Sequence, residues 1–480
     1  MKVLFVAAEL FPYVKVGGLA DAMSSLPLAL SKEGVDVRLL LPAYPALKKV
    51  ARVHGTAATF DDLMGGGPAT VLLADIPGSV PVYLLDAPTF FAREGGPYAD
   101  HGDSHRRFAA LSWAAAHMGI YGDAEGIKFD IVHSHDWQTA LAPVYVNLSF
   151  QGKKPKTVVT IHNLAYQGVF PKHLLGEIWF PREAYHVNGA EFFGQVNFLK
   201  GGLAYADKIV TVSQKYAEEI KTPEGGWDLD GMLRSRAADL KGILNGVDEF
   251  VWNPAKDQHL RTPFSAKNLK KPKAYNKKVF QEEIGLNQEP NAPLFGLVSR
   301  LNEIKGIDLI LPNIDYMISA GAQLAIIGQG DYQLESAIDW ACARHPRSVA
   351  AYFGYDEGKA HRAIAASDIF LVPSRSEPCG LTQLYAMRYG TIPLVRKTGG
   401  LADTVVDITP ETLQDGTATG FVFSESTSWQ LGETITRALD LFKSKPKVWD
   451  KIQLKGMAQH FTWESSAKQH AALYSGLMAK

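Results

Sequence analysis

Short, strongly apolar runs alternate with longer amphipathic stretches along almost the whole sequence. The apolar runs have the length of buried strands, and the apolar residues between them have helical spacing. Strands that alternate with helices form a parallel, doubly wound sheet, because each helix returns the chain to the edge where the strand began. The predicted fold class is therefore α/β. The predicted strands cover residues 2–8, 36–41, 82–85, 129–133, 157–161, 208–212, 294–298, 323–327, 349–353, 368–372 and 391–395.

The alternation is interrupted once, near residues 240–250, where a polar stretch rich in lysine follows. A chain of 480 residues also exceeds what one core usually holds. Both observations predict two Rossmann-like halves of similar size that face one ligand cleft. We expect the lysine-rich stretch, which ends near residue 278, to be a solvated linker surface; a role in substrate binding is the alternative. The segment 65–80, rich in glycine and proline, is expected to be an excursion at a sheet edge.

Acidic and basic side chains almost balance, with 50 Asp and Glu against 49 Lys and Arg. A net charge of −1 offers no basic surface for nucleic acid or for a membrane. The N-terminus has no leader-like segment, and no apolar run approaches the roughly 18 residues of a membrane-spanning helix. The two cysteines, Cys342 and Cys379, suit a reducing compartment. We expect a soluble cytoplasmic protein with small or neutral partners.

A carboxylate and a helix start follow the predicted strand that ends at residue 372. Glu377 lies in the polar turn, and the helix is entered at Leu381 and Thr382. Parallel α/β sheets bind ligands at the carboxyl ends of their strands, and free N–H groups at a helix start bind phosphate. This stretch therefore predicts the donor-sugar and phosphate end of an active site. Ordinary helix capping by Glu and Ser side chains is the alternative.

Two cations occupy the loop after another strand of the second half. Arg300 and Lys305 stand between the strand that ends at residue 298 and a helix that begins at Gly306. The planar fork of arginine and the compact charge of lysine together suit a pyrophosphate. For either residue alone, a solvated loop cation would be the better explanation.

Comparable groups follow strands of the first half. Lys15 precedes the pair Gly17-Gly18, and glycines let a backbone approach a ligand closely. Asp136 and His162 come just after two later strands. Taken singly, each is better explained as a helix cap or a core residue. Their shared position at strand ends predicts one binding site.

Several other kinds of site are disfavoured by the residues that are missing. Gln333 stands where a dinucleotide-binding G-x-G-x-x-G motif needs its third glycine, which argues against an NAD-linked oxidoreductase. The sequence has neither a Walker A motif nor His and Cys at metal-ligand spacing, so we predict no cofactor and no metal. A thiol nucleophile at Cys379 is also disfavoured, because a helix start favours use of its backbone N–H group.

Taken together, the motifs resemble those of the glycogen and starch synthase family. The resemblance extends from the N-terminus to about Trp463 and follows the family's order and spacing. It rests on the segments KVGGLAD, HSHDWQTAL, TIHNLAYQG, ILNGVDEFVWNP, SRLNEIKG and SRSEPCGLTQLYAM. It implies a GT-B fold with an N-terminal Rossmann-like domain (1–243), a donor-binding Rossmann-like domain (244–460) and a C-terminal helix (461–480) that crosses back to the first domain.

The resemblance also implies a reaction. Members of this family transfer glucose from ADP-glucose to the non-reducing end of an α-1,4-glucan such as glycogen, with retention of configuration and without a metal. A related transferase with another nucleotide sugar or acceptor, such as a sucrose-type synthase, is the main alternative. A glucan-binding protein without activity is another, but it would be expected to have lost Arg300, Lys305 or Glu377. The oligomeric state stays open.

By the same resemblance, particular residues have expected roles. Arg300 and Lys305 would stabilise the departing ADP, and Glu377 would hold glucose hydroxyl groups. Asp136 and His162 would lie around the glucose and the forming oxocarbenium ion. Further contacts are expected to the donor phosphate (Lys15, Gly18 and the nearby Asp21), to a sugar (Asn245), to adenine (Tyr355), and from backbone donors to sugar and phosphate (Cys379, Gly380, Leu381 and Thr382).

Breaking a glycosyl phosphate bond places negative charge on the phosphate and positive charge on the sugar ring. Fixed cations and N–H groups on the phosphate side therefore lower the barrier. The sequence shows no second, closely set acid of the kind that retaining glycosidases use. We therefore expect the acceptor hydroxyl to attack the face from which ADP leaves, with its proton passing to the leaving phosphate.

Overall fold

A computed structural model describes residues 1–479, which form two compact units. The first unit comprises Met1–Gly246 together with the segment that begins at Thr462, and the second comprises Val247–Phe461. Two Rossmann-like units of parallel strands and helices confirm the predicted fold class. The limits 1–243, 244–460 and 461–480 for independently folding domains stay a prediction, and Lys480 lies outside the described residues.

The first unit is organised by a nine-stranded sheet. Its strands, and those of a small side sheet, are β1 (Lys2–Val6), β2 (Asp36–Pro42), β3 (Arg52–Phe60), β4 (Ala69–Asp75), β5 (Val82–Asp86), β6 (Ile131–His135), β7 (Lys156–Ile161), β8 (Val169–Pro171), β9 (Glu191–Phe192), β10 (Gln195–Asn197), β11 (Lys208–Thr211) and β12 (Leu240–Gly242). The large sheet has the order β12-β11-β7-β6-β1-β2-β5-β4-β3, and β8-β10-β9 form the small antiparallel one. From β12 to β5 the neighbours are parallel.

One edge of this sheet differs from the prediction. Strand β4 pairs antiparallel with both β5 and β3. It lies inside the segment 65–80, which was expected to be an excursion at a sheet edge, and no strand was predicted there. Strand β3 was not predicted at all. Its residues are mostly exposed, so it lacks the continuous apolar run that marks a buried parallel strand.

Helices of the first unit connect the parallel strands, as the alternation predicts. The helices are α1 (Gly18–Lys32), α2 (Pro45–Val50), α3 (Pro88–Phe91), α4 (Ser104–Tyr121), α5 (Ala142–Leu148), α6 (Phe198–Tyr205), α7 (Gln214–Glu219) and α8 (Asp230–Ser235), with 3-10 turns at Lys172–Ile178 and Arg182–Ala184. Apolar residues of α1 and α4 pack with β1 and β6 in one continuous core. Buried strand and helix faces of this kind carry most of the hydrophobic stabilisation.

The second unit contains a six-stranded, all-parallel sheet. Its strands are β13 (Leu294–Val298), β14 (Gln323–Gly328), β15 (Val349–Phe353), β16 (Ile369–Val372), β17 (Ile392–Arg396) and β18 (Phe421–Phe423), in the order β15-β14-β13-β16-β17-β18. Its helices are α9 (Lys270–Ile284), α10 (Ile307–Ile310), α11 (Ile314–Ser319), α12 (Tyr332–Arg344), α13 (Glu357–Ala366), α14 (Thr382–Arg388), α15 (Gly399–Thr404), α16 (Pro410–Gln414), α17 (Ser428–Ser444) and α18 (Pro446–Met457), with 3-10 turns at Glu303–Lys305 and Leu311–Asn313.

The lysine-rich stretch is not a solvated linker surface, so that expectation was wrong. Its second part is helix α9, and two of its lysines, Lys273 and Lys277, are buried. Lys273 Nζ donates to the carbonyl oxygens of Ala365 and Tyr389 and to Thr391 Oγ1. Buried ammonium groups are tolerated when acceptors use all their protons, which a count of charges along the sequence does not reveal.

The last helix, α19 (Trp463–Met478), belongs to the first unit and packs beside α1. Lys32 of α1 pairs with Glu464 at 3.0 Å. Tyr474 is fully buried, and its hydroxyl lies 2.7 Å from Nδ1 of His133 on β6. Within residues 1–479, no helix is both long enough and apolar enough to span a bilayer.

Candidate active site

Each large sheet reverses its strand order at one central strand. Strand β1 lies between β6 and β2, and strand β13 lies between β14 and β16. At such a point the loops that follow the neighbouring strands diverge to opposite faces, which leaves room for a ligand at the carboxyl edge. Many of the predicted site residues follow these strands, and each unit is described in turn.

In the first unit, the loop after β1 is held by a buried carboxylate. Glu9 Oε2 accepts hydrogen bonds from the backbone N–H groups of Val16 (2.8 Å) and Gly17 (3.1 Å). Glu9 Oε1 accepts one from the hydroxyl of Tyr98 at 2.5 Å. Burial raises the pKa of Tyr98 well above its ordinary value, so its hydroxyl remains a donor. Glu9 thereby fixes the backbone that directly follows Lys15.

Lys15 and Gly18 stand where this loop enters α1. Helix α1 begins at Gly18, and no side chain caps its start. Its first N–H groups therefore have no intrahelical partner. Lys15 Nζ pairs with Asp21 Oδ1 at 3.1 Å, and both side chains are partly exposed. A cation thus lies beside a helix start, which suits an anionic ligand.

Asp136 follows β6 and turns the chain with a left-handed backbone, at φ 57°. Its Oδ1 accepts hydrogen bonds from the backbone N–H groups of His162 (2.7 Å) and Asn163 (3.3 Å). Burial raises the pKa of Asp136 to about 7, although these two bonds oppose the shift. The structure therefore brings Asp136 and His162 together, through the backbone N–H of His162.

His162 follows β7, and its ring touches a second histidine. Its Nε2 lies 3.0 Å from Nδ1 of His135, the last residue of β6. Burial lowers the pKa of His162 to about 3 and that of His135 well below its ordinary value. Both rings are therefore neutral at physiological pH, so His162 serves as a hydrogen-bonding group rather than as a cation.

Asn245 is buried and lies just beyond β12, the edge strand of the nine-stranded sheet. It occupies the carboxyl edge of the same sheet as Asp136 and His162. No hydrogen bond among the described residues joins Asn245 to either of them. The structure therefore shows no direct link between Asn245 and that pair.

In the second unit, Lys305 and Glu377 form a short ion pair. Lys305 Nζ donates to Glu377 Oε2 at 2.6 Å, and Ser374 Oγ donates to the same oxygen at 2.8 Å. The side chains of Lys305 and Glu377 are 21% and 13% exposed, so the pair is shielded but open to a ligand. Glu377 Oε1 has no hydrogen-bond partner among residues 1–479, so it is able to accept a hydrogen bond from a ligand.

Two arginines hold the loops that carry this pair. Arg375 makes a bidentate ion pair with Asp308 (2.6 and 2.7 Å) and donates to the carbonyl oxygen of Glu303. The hydrogen bond from Arg375 lowers the pKa of Asp308. Arg396 donates to the carbonyl oxygens of Ser374 (2.9 Å) and Arg375. Because planar guanidinium forks restrict geometry, these contacts fix where Lys305 and Glu377 meet.

Arg300 follows β13 and is exposed. Its side chain has no hydrogen-bond or ion-pair partner within the part of the chain that the structure describes. Two glycines let its loop lie against the end of β14. A Cβ at Gly328 would lie 1.9 Å from the Ser299 carbonyl oxygen, and one at Gly330 would lie 2.2 Å from that of Leu301. Gly328 and Gly330, which do not complete a dinucleotide-binding motif, therefore allow the backbone to pack closely beside Arg300.

The segment from Cys379 to Thr382 leads into α14 as predicted. Gly380 has a left-handed backbone at φ 67°, and α14 begins at Thr382 without a side-chain cap. The first N–H groups of α14 therefore lack intrahelical partners. A Cβ at Gly400 would lie 1.7 Å from the Cys379 carbonyl oxygen, so the start of α15 must pack directly against this turn.

Tyr355 lies in the loop between β15 and α13, with 65% of its surface exposed. Its hydroxyl donates to Glu357. The neighbouring Gly354 N–H bonds to the carbonyl oxygen of Gly328, at the end of β14. Tyr355 therefore presents an aromatic face on the same sheet edge as Arg300 and Lys305.

Sequence reasoning missed several contributors to these arrangements. They are Glu9, Tyr98, His135, Ser374, Arg375 and Arg396. Glu9 directly follows the first apolar run, so its position at a strand end was a usable signal. Tyr98 meets Glu9 across 89 residues, and nothing local indicates that contact. No group of three or more His, Cys, Asp or Glu side chains within residues 1–479 has the geometry of a metal site.

Known proteins match the chain along its length. The sequence profile described as starch synthase catalytic domain matches residues 2–235, and that described as glycosyl transferases group 1 matches residues 279–452. A glycogen synthase of Paramagnetospirillum magneticum is 47% identical over 484 residues, which cover 99% of this chain and 98% of the relative. A glycogen synthase of Francisella tularensis subsp. novicida is 46% identical, over 100% and 99% of the two chains.

Solved structures are similar as well. The catalytic domain of starch synthase IV from Arabidopsis thaliana, bound to ADP and acarbose, superposes with a TM-score of 0.87 at 32% identity. The match covers 100% of this chain and 99% of that one. Sucrose-phosphate synthase from Thermosynechococcus elongatus gives a TM-score of 0.60 at 18% identity, which bears on the fold alone. These likenesses confirm the predicted GT-B fold class.

Proposed function

This chain belongs to the glycogen and starch synthase family of retaining glycosyltransferases, and from that premise we propose that it transfers glucose from ADP-glucose to the non-reducing end of an α-1,4-glucan such as glycogen. Its relatives named glycogen synthase match it over nearly the whole of both chains. The Arabidopsis starch synthase was solved with ADP and acarbose. That pair supports an adenine nucleotide donor and an oligosaccharide acceptor here.

The group formed by Lys305, Glu377 and Ser374 is the observation that carries the proposal. Glu377 Oε2 is used by Lys305 and Ser374, whereas Oε1 is left to accept from hydroxyl groups. A carboxylate held in this way binds the hydroxyls of a sugar without moving when they arrive. The remaining protons of Lys305 Nζ are available to a phosphate.

Further residues of the second unit complete the donor site in this proposal. The side chain of Arg300 is exposed and has no partner among the described residues. It contacts the diphosphate together with Lys305 and stabilises the charge that ADP gains on leaving. Tyr355 stacks on adenine through its exposed ring. Backbone N–H groups donate to sugar and phosphate from Cys379, Gly380, Leu381 and Thr382.

The residues of the first unit have proposed roles of their own. Asp136 and His162 lie beside the glucose as positive charge develops on its ring. Lys15 and Gly18 bind donor phosphate oxygens, with Asp21 orienting Lys15 through their ion pair. Asn245 contacts a sugar hydroxyl through its amide. These roles depend on bound substrate and stay proposals.

The reaction proceeds on one face of the sugar. The bond between C1 of glucose and the phosphate oxygen breaks, the acceptor O4 bonds to C1, and the proton of that hydroxyl passes to the departing phosphate of ADP. No enzyme nucleophile is needed, and retention follows because both groups use the same face. Detection by mass spectrometry of a glucosyl group bonded to Asp136 or Glu377 during turnover would contradict this course.

We also place the chain in the cytoplasm. Cys342 and Cys379 form no disulfide bond, which suits a reducing compartment. The proposal further holds that transfer needs no metal, since side-chain cations and N–H groups supply the charge stabilisation that a metal would otherwise give.

Incorporation of radiolabelled glucose into glycogen tests the proposal directly. ADP-glucose and UDP-glucose are compared with EDTA present, and the variant Glu377→Gln serves as the inactive control. Strong incorporation from ADP-glucose that is lost in the variant supports donor, reaction and metal independence together. Tight glucan binding without incorporation from either donor would support a binding protein instead. Preference for UDP-glucose would overturn the donor assignment.

A further inference from the structure

His135 and His162 share a single hydrogen bond. Nδ1 of His135 and Nε2 of His162 are 3.0 Å apart. Two unprotonated nitrogens would repel at this distance, and two protonated ones would clash, so one proton lies between them. The tautomer of each ring depends on which of the two nitrogens is bonded to that proton.

The rings stay neutral, so each carries one proton. Burial lowers the pKa of His133 and His135 well below the ordinary value, that of His162 to about 3 and that of His470 to about 4. Asp136 Oδ1 accepts from the backbone N–H of His162 rather than from its ring. No imidazolium is therefore needed to account for the contact.

The other nitrogen of His135 decides between the two tautomers. Nε2 of His135 is buried and has no hydrogen-bond partner. If His162 owned the shared proton, the proton of His135 would be on Nε2, as an orphaned N–H group. Buried N–H groups without partners are rarer in proteins than acceptors without partners. The shared proton therefore belongs to Nδ1 of His135, which donates to Nε2 of His162.

The proton of His162 is then on its Nδ1. That atom has no hydrogen-bond partner among residues 1–479 and is not one of the buried atoms that lack a partner, so it is open to a ligand. We propose that His135 is a positioning residue that fixes the tautomer of His162, so that Nδ1–H of His162 donates to an oxygen of the bound sugar. This inference rests on the proposed function for the identity of the ligand.

The ring of His135 is held rigidly enough for this task. It stacks on His133 with ring centres 4.4 Å apart and touches Phe5 at 4.8 Å. His133 in turn lies 2.7 Å from both the Thr160 and the Tyr474 hydroxyls. The backbone N–H of His135 donates to Thr139 Oγ1 at 2.7 Å. Packing on every side therefore prevents the ring flip that would exchange its nitrogens.

Nitrogen NMR of the wild-type enzyme tests the inference without any change to the site. The protein is labelled with nitrogen-15 at histidine. In a neutral ring, the protonated and the unprotonated nitrogen have well separated nitrogen-15 chemical shifts, so the spectrum shows which nitrogen carries the proton. The signals of His162 are identified by their loss in His162→Gln. We expect the protonated signal at Nδ1 and the unprotonated one at Nε2. The opposite pattern, or a rapidly exchanging mixture, overturns the inference.

Two variants separate positioning from a merely structural role. His135→Asn keeps an amide N–H close to the place of Nδ1, whereas His135→Leu keeps bulk but donates nothing. We expect Asn to preserve the tautomer of His162 and most of kcat. In Leu we expect a mixed tautomer and a kcat lower by roughly tenfold or more. Equal tautomer signatures in the two variants would contradict the inference.

The chain offers a matched control in His117, a half-buried histidine of the same unit whose pKa burial lowers. His117→Leu is expected to leave the His162 signals unchanged. The tautomer is read without substrate, so it stands or falls separately from glucosyl transfer. An active wild type with the proton on Nε2 would remove the role of His135 alone, whereas failure to transfer glucose would remove the proposed function.

Discussion

Lys305 Nζ donates to Glu377 Oε2 at 2.6 Å, and the two residues are 72 positions apart in the chain. One follows β13 and the other follows β16, the two strands that flank the switch point of the second sheet. In the proposed donor site, the pair joins the cation assigned to phosphate to the carboxylate assigned to the sugar hydroxyls. Both act on charge that develops as the donor breaks.

Removing either partner should abolish most turnover. Lys305→Ala leaves Glu377 without its cation, and Glu377→Gln replaces the charged acceptor for the sugar hydroxyls. We expect kcat to fall by roughly two to four orders of magnitude in each, as for a lost transition-state contact. Initial rates with ADP-glucose and glycogen measure the effect. Lys270→Ala, which removes an exposed pair with Asp450 in the same unit, should retain full activity. Near-normal rates in both site variants would remove the assignment.

Glu9 should matter because it orders the loop that carries Lys15. Glu9→Gln gives up one acceptor for the Val16 and Gly17 N–H groups or for the Tyr98 hydroxyl, at a cost of about 1.5–3 kcal/mol for a bond to a charged group. We expect kcat/KM for the donor to fall roughly tenfold to hundredfold. Tyr98→Phe should give a smaller loss of the same kind, and Tyr121→Phe, at an exposed position, should give none. A normal kcat/KM in Glu9→Gln would show that the loop orders itself without this carboxylate.

Asp136 predicts a dependence of stability on pH. Because burial raises the pKa of Asp136 from 3.8 to about 7, the folded chain keeps a proton between these values that the unfolded chain releases. The contribution of Asp136 to the free energy of unfolding therefore falls as pH rises from about 4 to 7. The decrease is at most about 4 kcal/mol, and it is smaller because water reaches the half-buried carboxyl group. Asp136→Asn should gain stability relative to wild type over that range, seen as a rising difference in Tm. Asp75→Asn, at an exposed position, should show no such trend, and a flat difference for Asp136→Asn would contradict the raised pKa.

Lys273 and Lys270 provide a contrast within one helix. Lys273→Ala removes a buried donor and leaves the carbonyl oxygens of Ala365 and Tyr389 and the Thr391 hydroxyl short of a partner. We expect a loss of about 3 kcal/mol in the free energy of unfolding of the second unit. Lys270→Ala, at a mostly exposed lysine, should lose less than about 0.5 kcal/mol. Similar denaturation midpoints for the two variants would mean that the buried lysine is dispensable.

The sequence was most informative where local pattern and function coincide. Strand-length apolar runs predicted both parallel sheets, and the residue types after those runs pointed to Lys305, Glu377, Asp136 and His162. Contacts between distant segments were beyond its reach. The burial of Lys273 depends on acceptors about a hundred residues away, and nothing near Tyr98 indicates that it binds Glu9. The mostly exposed strand β3 lacks the apolar run on which the prediction depended.

The measurement that tests the central claim most directly locates the transferred glucose. Glycogen is labelled from ADP-glucose in the presence of EDTA and then digested with β-amylase, which releases maltose from the non-reducing ends of α-1,4-linked chains. We predict that the label leaves as maltose and that ADP is released in equal amount. Label that resists digestion, or ADP release without labelled glucan, would contradict transfer to the non-reducing end with retention.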